Sequence, residues 1–391
     1  MTERAWRGAL LAGALAAAAL GAQAATLTLG LLQRADDERL EPRRVELAYP
    51  GHPGGPLQAA VELAASESSF ELEAARLQVR FETRSARNAA EARTALQQLV
   101  RAGAAAVVLD LPAAWVGPAA AGSSLPLLNA GDADDTLRGA ACLPQLLHTL
   151  PSERMRADAL AQWLVARRWS RMLLLHGPAA EDATRLAAVQ ASLKRFGLKQ
   201  VAAKPFKLSA DPRERELANV ALLTGGAEYD AVWVIDSDGE FARGVPYRTA
   251  LPRPVVGDAG LVALAWAPGF ERFGAPQLAR RFARAAQRPM TATDWAGYMA
   301  AKAVVQAALS QPTAVGAAGL LKTLKGADFV LDGFKGVRLS FRPWDGQLRQ
   351  PLLLTDGLGV AGLAPVEGML HPKNVLDTLG ADAPESACPR R

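Results

Sequence analysis

Aspartates recur where short apolar runs of this chain stop. Asp110 ends Ala104–Leu109; Asp132, Asp134 and Asp135 follow Pro126–Asn129; Asp236 and Asp238 follow Ala231–Ile235; Asp258 follows Pro254–Gly257. If each run is a parallel strand, these groups sit at carboxyl ends, the edge where α/β sheets take their ligands. Clustered, unpaired carboxylates raise one another's pKa values, and an ammonium group or a metal ion relieves that repulsion. A competing reading is local, because aspartate also caps helices and turns. Asn129 and His176 stand at strand ends too, and a histidine there can exchange a proton or simply make a hydrogen bond. Tyr49, Trp115, Trp233, Tyr247 and Trp266 lie in or near the same loops, as aromatic walls for a small organic ligand or as packing.

Enzyme signatures mostly fail. The sequence has no Walker A pattern and no G-x-S-x-G elbow, and His52, His148, His176 and His371 show no metal-ligand spacing. Gly357-Leu358-Gly359-Val360-Ala361-Gly362 matches G-x-G-x-x-G, but too little chain follows for a dinucleotide-binding unit and Pro365 interrupts any helix, so it reads as a flexible connection. No cofactor is expected, and whether a metal binds is left open.

The elements that must position these residues alternate between strand and helix. Thr26–Leu32 reads as a strand, followed by a polar loop, a Pro/Gly-rich turn at Tyr49–Pro56 and a helix from Leu57 to about Ser66. Leu77–Thr83 alternates as a strand, Asn88 caps a helix to Arg101 with Gly103 as its stop, and Ala104–Leu109 and Pro126–Asn129 are strands. A second unit starts near Leu150: Ser152 caps a helix to Arg168, then Met172–Leu175, Ala180–Phe196, Gln200–Phe206, Arg213–Thr224, Ala231–Ile235 and Pro254–Gly257 alternate strand and helix. Gln277–Ala286 and Trp295–Leu309 are helices suited to the first unit, and Gly336–Phe341 with Pro351–Leu354 reads as a hairpin around Pro343–Gly346. The predicted fold class is α/β, with two doubly wound parallel-sheet lobes.

Composition narrows the class. At 391 residues and about 150 per domain, two domains are expected. Met1–Ala25 reads as a removable export signal, with Arg4 and Arg7 before an apolar run from Gly8 to Leu20 and Ala22-Gln23-Ala24 as the cleavage site. The run is too short for a spanning helix, so the mature protein is expected in the periplasm, soluble and not membrane-embedded. A net charge of +5, with basic and acidic residues interspersed, argues against a nucleic-acid partner. Cys142 and Cys388 are the only cysteines; they either pair, tying the tail to the first lobe, or stay as thiols.

In this order of elements the chain resembles a type I periplasmic binding protein of the leucine-binding family, the solute receptors of ABC importers. The resemblance runs from about Thr26 to Pro365. It rests on the opening strand, Asn88–Arg101 before Ala104–Leu109, His148-Thr149-Leu150-Pro151-Ser152, Tyr229–Trp233, Thr293–Ala303 and Leu339–Leu348. Within the family it is most similar to the branch associated with PQQ-dependent alcohol dehydrogenase systems. The resemblance implies two lobes joined by a three-crossing hinge, with crossings near Leu150, Leu264–Phe273 and Lys325–Lys335. The N-terminal lobe would then hold residues 26–149 and about 270–330, the C-terminal lobe 150–265 and about 336–365, and 366–391 would be a tail.

It also implies a small-molecule ligand bound between lobes that close on it, a permease partner in the inner membrane, and no catalysis. Family members that bind amino acids hold the carboxylate with hydroxyls and backbone N–H groups after the third and fourth strands. Here the first loop, Asp110-Leu111-Pro112-Ala113-Ala114-Trp115, has no hydroxyl, and its proline lacks an N–H. The second, Asn129-Ala130-Gly131-Asp132-Ala133-Asp134-Asp135, carries acids that would repel a carboxylate. Asp258 falls near the family's acid for a ligand ammonium. The expected contacts are therefore Asp110, Trp115, Asn129, Asp132, His176, Asp236, Asp238 and Asp258, around a cationic, neutral or metal-associated ligand. A periplasmic enzyme, or an accessory or metal-handling factor of an alcohol dehydrogenase system, is the alternative.

Overall fold

The computed structural model describes residues 24–41 and 54–388. The expected signal up to Gln23, and Tyr49 and His52, lie outside the described residues.

The first sheet comprises β1 (Ala25–Arg34), β2 (Leu77–Ala86), β3 (Ala104–Asp110), β4 (Leu127–Asn129) and β5 (Leu146–His148), in the order β2-β1-β3-β4-β5, with every pairing parallel. The central strands are nearly continuous apolar runs because helices cover both of their faces. On one side lie α1 (Gln58–Ser66) and α2 (Ser69–Ala74); on the other, α3 (Ala89–Arg101) and α4 (Ala113–Ala120). Asn88 caps α3 as expected, its Oδ1 accepting from the Glu91 N–H at 2.9 Å, and Gly103 follows the helix at φ +82°.

The second sheet is also all parallel: β6 (Arg171–His176), β7 (Lys199–Pro205), β8 (Ala231–Ile235) and β9 (Val255–Gly257), in the order β7-β6-β8-β9. Its helices are α5 (Glu153–Ala166), capped by Ser152, and α6 (Ala180–Arg195). The expected helix over 213–224 divides into a 3-10 stretch, Pro212–Ala218, and a short α7 (Val220–Thr224), because Asn219 is extended and restarts the helix by capping Leu222.

The chain then returns. β10 (Val262–Leu264) leads into α8 (Ala275–Ala286), α9 (Ala292–Ser310) and α10 (Ala317–Leu324), whose apolar residues share one core with β1, β3 and α1. α9 is buried almost all round, and its start is fixed by reciprocal Thr291 and Asp294 contacts, with Arg288 clamping the Asp294 carboxylate at 2.6 and 2.7 Å.

Around the third crossing expected at Lys325–Lys335, Leu331, Leu339, Phe341 and Leu348 pack in the core of the first sheet, and beyond them Leu352 and Leu354 pack in the second core while Leu353 packs in the first. The expected hairpin is shorter. β11 (Leu331–Asp332) pairs with β12 (Arg338–Leu339), Phe341 bridges Leu348 across the turn, and β13 (Leu352–Thr355) lies between β10 and β14 (Val360–Ala364). The glycine-rich stretch is the tight turn joining β13 to β14, where Gly357 takes φ +93° and Asp356 accepts from the Leu358 and Gly359 N–H groups.

Hydrogen bonds bind the crossings side by side. The His148 N–H donates to Gly346 O, the Leu348 N–H donates to His148 O, and the Gln350 amide donates to Thr149 O at 2.8 Å. Lys335 is buried beside them, its Nζ donating to Gln350 Oε1 and Pro351 O and lying 3.5 Å from the centre of the Trp295 ring. Cys142 and Cys388 are joined by a disulfide.

Candidate ligand site between the lobes

At the first sheet, Asn129 is the hub of the loop after β4. It is fully buried; its Oδ1 accepts from the Gly131 and Asp132 N–H groups, and its Nδ2 donates to Asp132 O and contacts His148 Nδ1 at 3.1 Å. That turn aims Asp132 at α4. Asp132 Oδ2 accepts from the Ala113 N–H at 2.6 Å and Oδ1 from the Asp134 N–H at 2.8 Å, so this carboxylate supplies the cap that Pro112 cannot. Asp134 accepts from the Thr136 N–H, and Asp135 from the Arg154 N–H where α5 begins. Burial pushes the Asp135 carboxyl up, with Ser152 and Arg138 opposing. Gly131 is required by proximity, since a Cβ there would stand 2.6 Å from the Asp110 Cα.

Asp110 is buried and accepts from Arg39 Nη2 at 2.7 Å; Asp37 holds the same guanidinium. Burial opposes the Arg39 charge, but these two carboxylates outweigh it and raise its pKa. Arg34, the last residue of β1, differs. Its Nε is buried with no hydrogen-bond partner among the described residues. Burial and then the Arg39 charge lower its pKa despite Asp110, Asp37 and Asp132 nearby. Trp115 is half-buried on α4 and packs against the core beneath β3.

At the second sheet the charges pair among themselves. Arg185 of α6 grips Asp258 with two 3.0 Å hydrogen bonds and reaches Glu153 at 3.3 Å; Arg156 joins Glu153 at 2.9 Å and donates to Ala263 O. Asp258 also accepts from the Asp236 N–H at 2.8 Å, which brings Asp236 and Asp258 together. Burial opposes ionisation of Glu153, but Arg156 and Arg185 hold its pKa below the usual carboxylate range, and burial of Arg185 is likewise outweighed by its carboxylates. Beside this network is a cavity of about 30 Å³, lined by Leu160, Val189 and Trp233, with room for about one water.

Asp236 accepts from the Ala242 N–H at 2.8 Å, and burial raises its pKa against that hydrogen bond. Asp238 is exposed in the same loop. His176 is half-buried with Nδ1 3.3 Å from Gly177 O. Asp182, between them, accepts from the Ser237 and Ala179 N–H groups. Glu181 completes this rim; burial raises its pKa, Arg185 opposes, and among the like charges acting on it is Asp132 of the first lobe.

Asp132 and the pair Asp236–Asp258 thus stand on opposite lobes, and each of these carboxylates is already bound within the chain. Among the described residues, no group of three histidine, cysteine or acidic side chains is arranged to hold a metal ion. Trp233 and Trp266 are core residues, 2% and 1% exposed, and not cleft walls. Tyr247 is exposed, held in a 3-10 turn. Sequence reading passed over the arginines Arg34, Arg39, Arg156 and Arg185. The usable signals were Glu153 three residues before Arg156, one helical turn apart, and a charged residue closing the otherwise uncharged β1.

No protein-family model matches the sequence, and no curated protein matches it. Solved structures do match in fold. A branched-chain amino acid ABC transporter periplasmic ligand-binding protein from Burkholderia xenovorans is similar with a TM-score of 0.71 at 15% identity, covering 93% of this chain and 99% of that one. An amino acid ABC transporter substrate-binding protein from Pseudomonas fluorescens gives 0.71 at 12% identity with the same coverage. An ABC transporter solute-binding protein from R. palustris in complex with benzoate gives 0.66 at 14%, again over 93% and 99%. The chain therefore has the type I periplasmic binding protein fold along nearly its whole described length.

Proposed function

We propose that this protein is a non-enzymatic periplasmic solute receptor that closes two lobes over a small organic carboxylate and presents it to an ABC-type permease. Support for a receptor comes from the fold, shared over nearly full length with substrate-binding proteins, one of them in complex with benzoate. The ligand class rests on one observation: Arg34 ends a central strand with a buried Nε that has no hydrogen-bond partner among the described residues. A guanidinium so placed is completed by a carboxylate, which can accept two of its N–H groups. Arg185 already fills Asp258, so the acid expected to receive a ligand ammonium is closed to one.

In this reading Arg34 and Arg39 meet the ligand carboxylate. Asp110, Asn129 and Asp132 shape the first lobe's wall, with Trp115 behind it. His176, Asp236, Asp238 and Asp258 with its arginines form the opposite wall. The lobes comprise about 25–149 with 270–348, and about 150–265 with 352–365. A ligand that touches both walls only when they approach shifts the population toward the closed form.

Calorimetric titration of the mature protein with benzoate, leucine and benzylamine tests the proposal. Benzoate binding without turnover is the expected result. Preference for benzylamine overturns the ligand class, and failure of all three to bind, or chemical turnover, overturns the receptor reading for these solutes.

A further inference from the structure

The tail after β14 passes between both lobes. Leu376 packs in the core of the first sheet. Asp377 then accepts from Arg342 Nε at 2.9 Å and Arg349 Nε at 2.7 Å, and Arg342 Nη2 donates to Leu376 O and Leu379 O, which fastens the tail to the turn before the third crossing. Leu379 enters the core of the second sheet. Its neighbour Gly380 is gripped from two helices of that lobe: its N–H donates to Asp158 Oδ2 at 2.8 Å, and its carbonyl accepts from Arg195 Nη1 at 2.7 Å. Asp158 is itself held by Ser192 and Arg195.

From that anchor the chain returns to the first lobe. On the way Glu385 pairs with Arg154 of α5, still on the second lobe, at 2.9 Å, and Cys388 then reaches the first lobe, bonded to Cys142, 246 residues earlier, with the Cα atoms 5.6 Å apart. Cys142 belongs to the loop between β4 and β5, in which Leu137 packs in the first lobe and Arg138 donates to Gln347 Oε1 and Leu150 O.

We infer that residues 381–388, fixed at Gly380 to the second lobe and by the Cys142–Cys388 disulfide to the first, form a fourth tie between the lobes that limits how far the cleft opens. The inference rests on the reading that the lobes move. Eight residues span at most about 26–29 Å, so the oxidised tie is a hard stop on the separation of Gly380 from Cys142. The Arg154–Glu385 pair is a partly exposed, weak hold on the second lobe, so the disulfide is what makes the first-lobe end of the tie firm. Both cysteines are half-exposed and open to a reductant. A dithiol that supplies two electrons and two protons leaves Cys142 and Cys388 as thiols, departs as its own disulfide, and frees the tie.

Small-angle scattering of the ligand-free protein tests this in three forms: oxidised, reduced with dithiothreitol, and truncated after Gly380. The radius of gyration and maximum dimension are expected to rise on reduction, and the truncated form, which has no tail to fray, is expected to be at least as expanded. Hydrogen exchange should quicken at the crossings 148–152, 264–267 and 347–351 in both altered forms. A truncated or reduced protein as compact as the oxidised one overturns the tie, even where benzoate binding is retained. Expansion without binding of benzoate or leucine supports the tie and counts against the receptor reading alone. A Cys142→Ser, Cys388→Ser double variant repeats the reduced arm without reductant, and native protein reduced in place serves if that variant does not fold.

Discussion

At the carboxyl edge of the second sheet Arg185, Arg156, Glu153 and Asp258 neutralise one another, whereas at the same edge of the first sheet Arg34 keeps a buried Nε without a hydrogen-bond partner among the described residues. Both edges carry arginines and acids in similar number, so composition alone does not separate them. The difference lies in geometry. On the second lobe two adjacent helices bring the charges to bonding distance around the end of β9, and on the first lobe Asp110 is taken by Arg39 before Arg34 can use it. One edge is therefore complete within the chain and holds its own lobe together. The other keeps one guanidinium Nε without a hydrogen-bond acceptor among the described residues.

The sharpest way to break this comparison is to remove a cation from each edge. Arg185→Ala leaves Asp258 and Glu153 without their main partner in a largely buried setting, and it should cost about 3–5 kcal/mol in urea denaturation. The same truncation of Arg34 removes a guanidinium whose Nε has no hydrogen bond to break and should change stability by less than about 0.5 kcal/mol; equal losses would show that the edges are alike. Binding should show the reverse order. Arg34→Gln is expected to weaken benzoate about 10- to 100-fold by calorimetry, an effect of about 1.4–2.8 kcal/mol. An unchanged affinity would remove Arg34 from the site.

pH sharpens the contrast further. Burial, and then the Arg138 charge, push the His148 pKa well below its ordinary value, so the folded protein keeps this imidazole neutral at pH values where the unfolded chain protonates it. Its contribution is therefore complete above about pH 6.5 and is lost as pH falls below that, by at most about 2 kcal/mol at pH 5. His148→Gln should flatten that part of the stability profile measured by denaturation at each pH. A smaller effect is expected at Asp132. If it is a helix cap for α4 and not a ligand contact, Asp132→Ala should cost about 1 kcal/mol of stability and leave benzoate affinity unchanged. A tenfold loss of affinity with unchanged melting temperature would reverse that assignment.

Much of the fold was legible in particular residues. β1, β3 and β8 are apolar on both faces, which belongs to parallel strands covered by helices, and Asn88, Ser152, Gly103 and Gly197 mark helix ends by their own backbone chemistry. The strand-end positions of Asp110, Asn129, Asp132, Asp236 and Asp258 were legible for the same reason. What those groups do was not, because a carboxylate at a strand end looks the same in sequence whether it faces a ligand, an N–H group or a guanidinium. Which core receives the last third was not legible either, because Leu339, Phe341 and Leu348 announce burial without saying against which sheet.

By itself, the sequence determined the class and order of elements, since apolar period, caps and glycines act over a few residues. Tertiary structure decided the rest: which acids are consumed by Arg39, Arg156 and Arg185, which arginine is left over, where the chain changes lobes, and that Cys142 meets Cys388. Each of these depends on contacts between residues dozens to hundreds of positions apart. Charge pairing and disulfide bonding require approach within a few ångströms, and only the packed fold sets such distances.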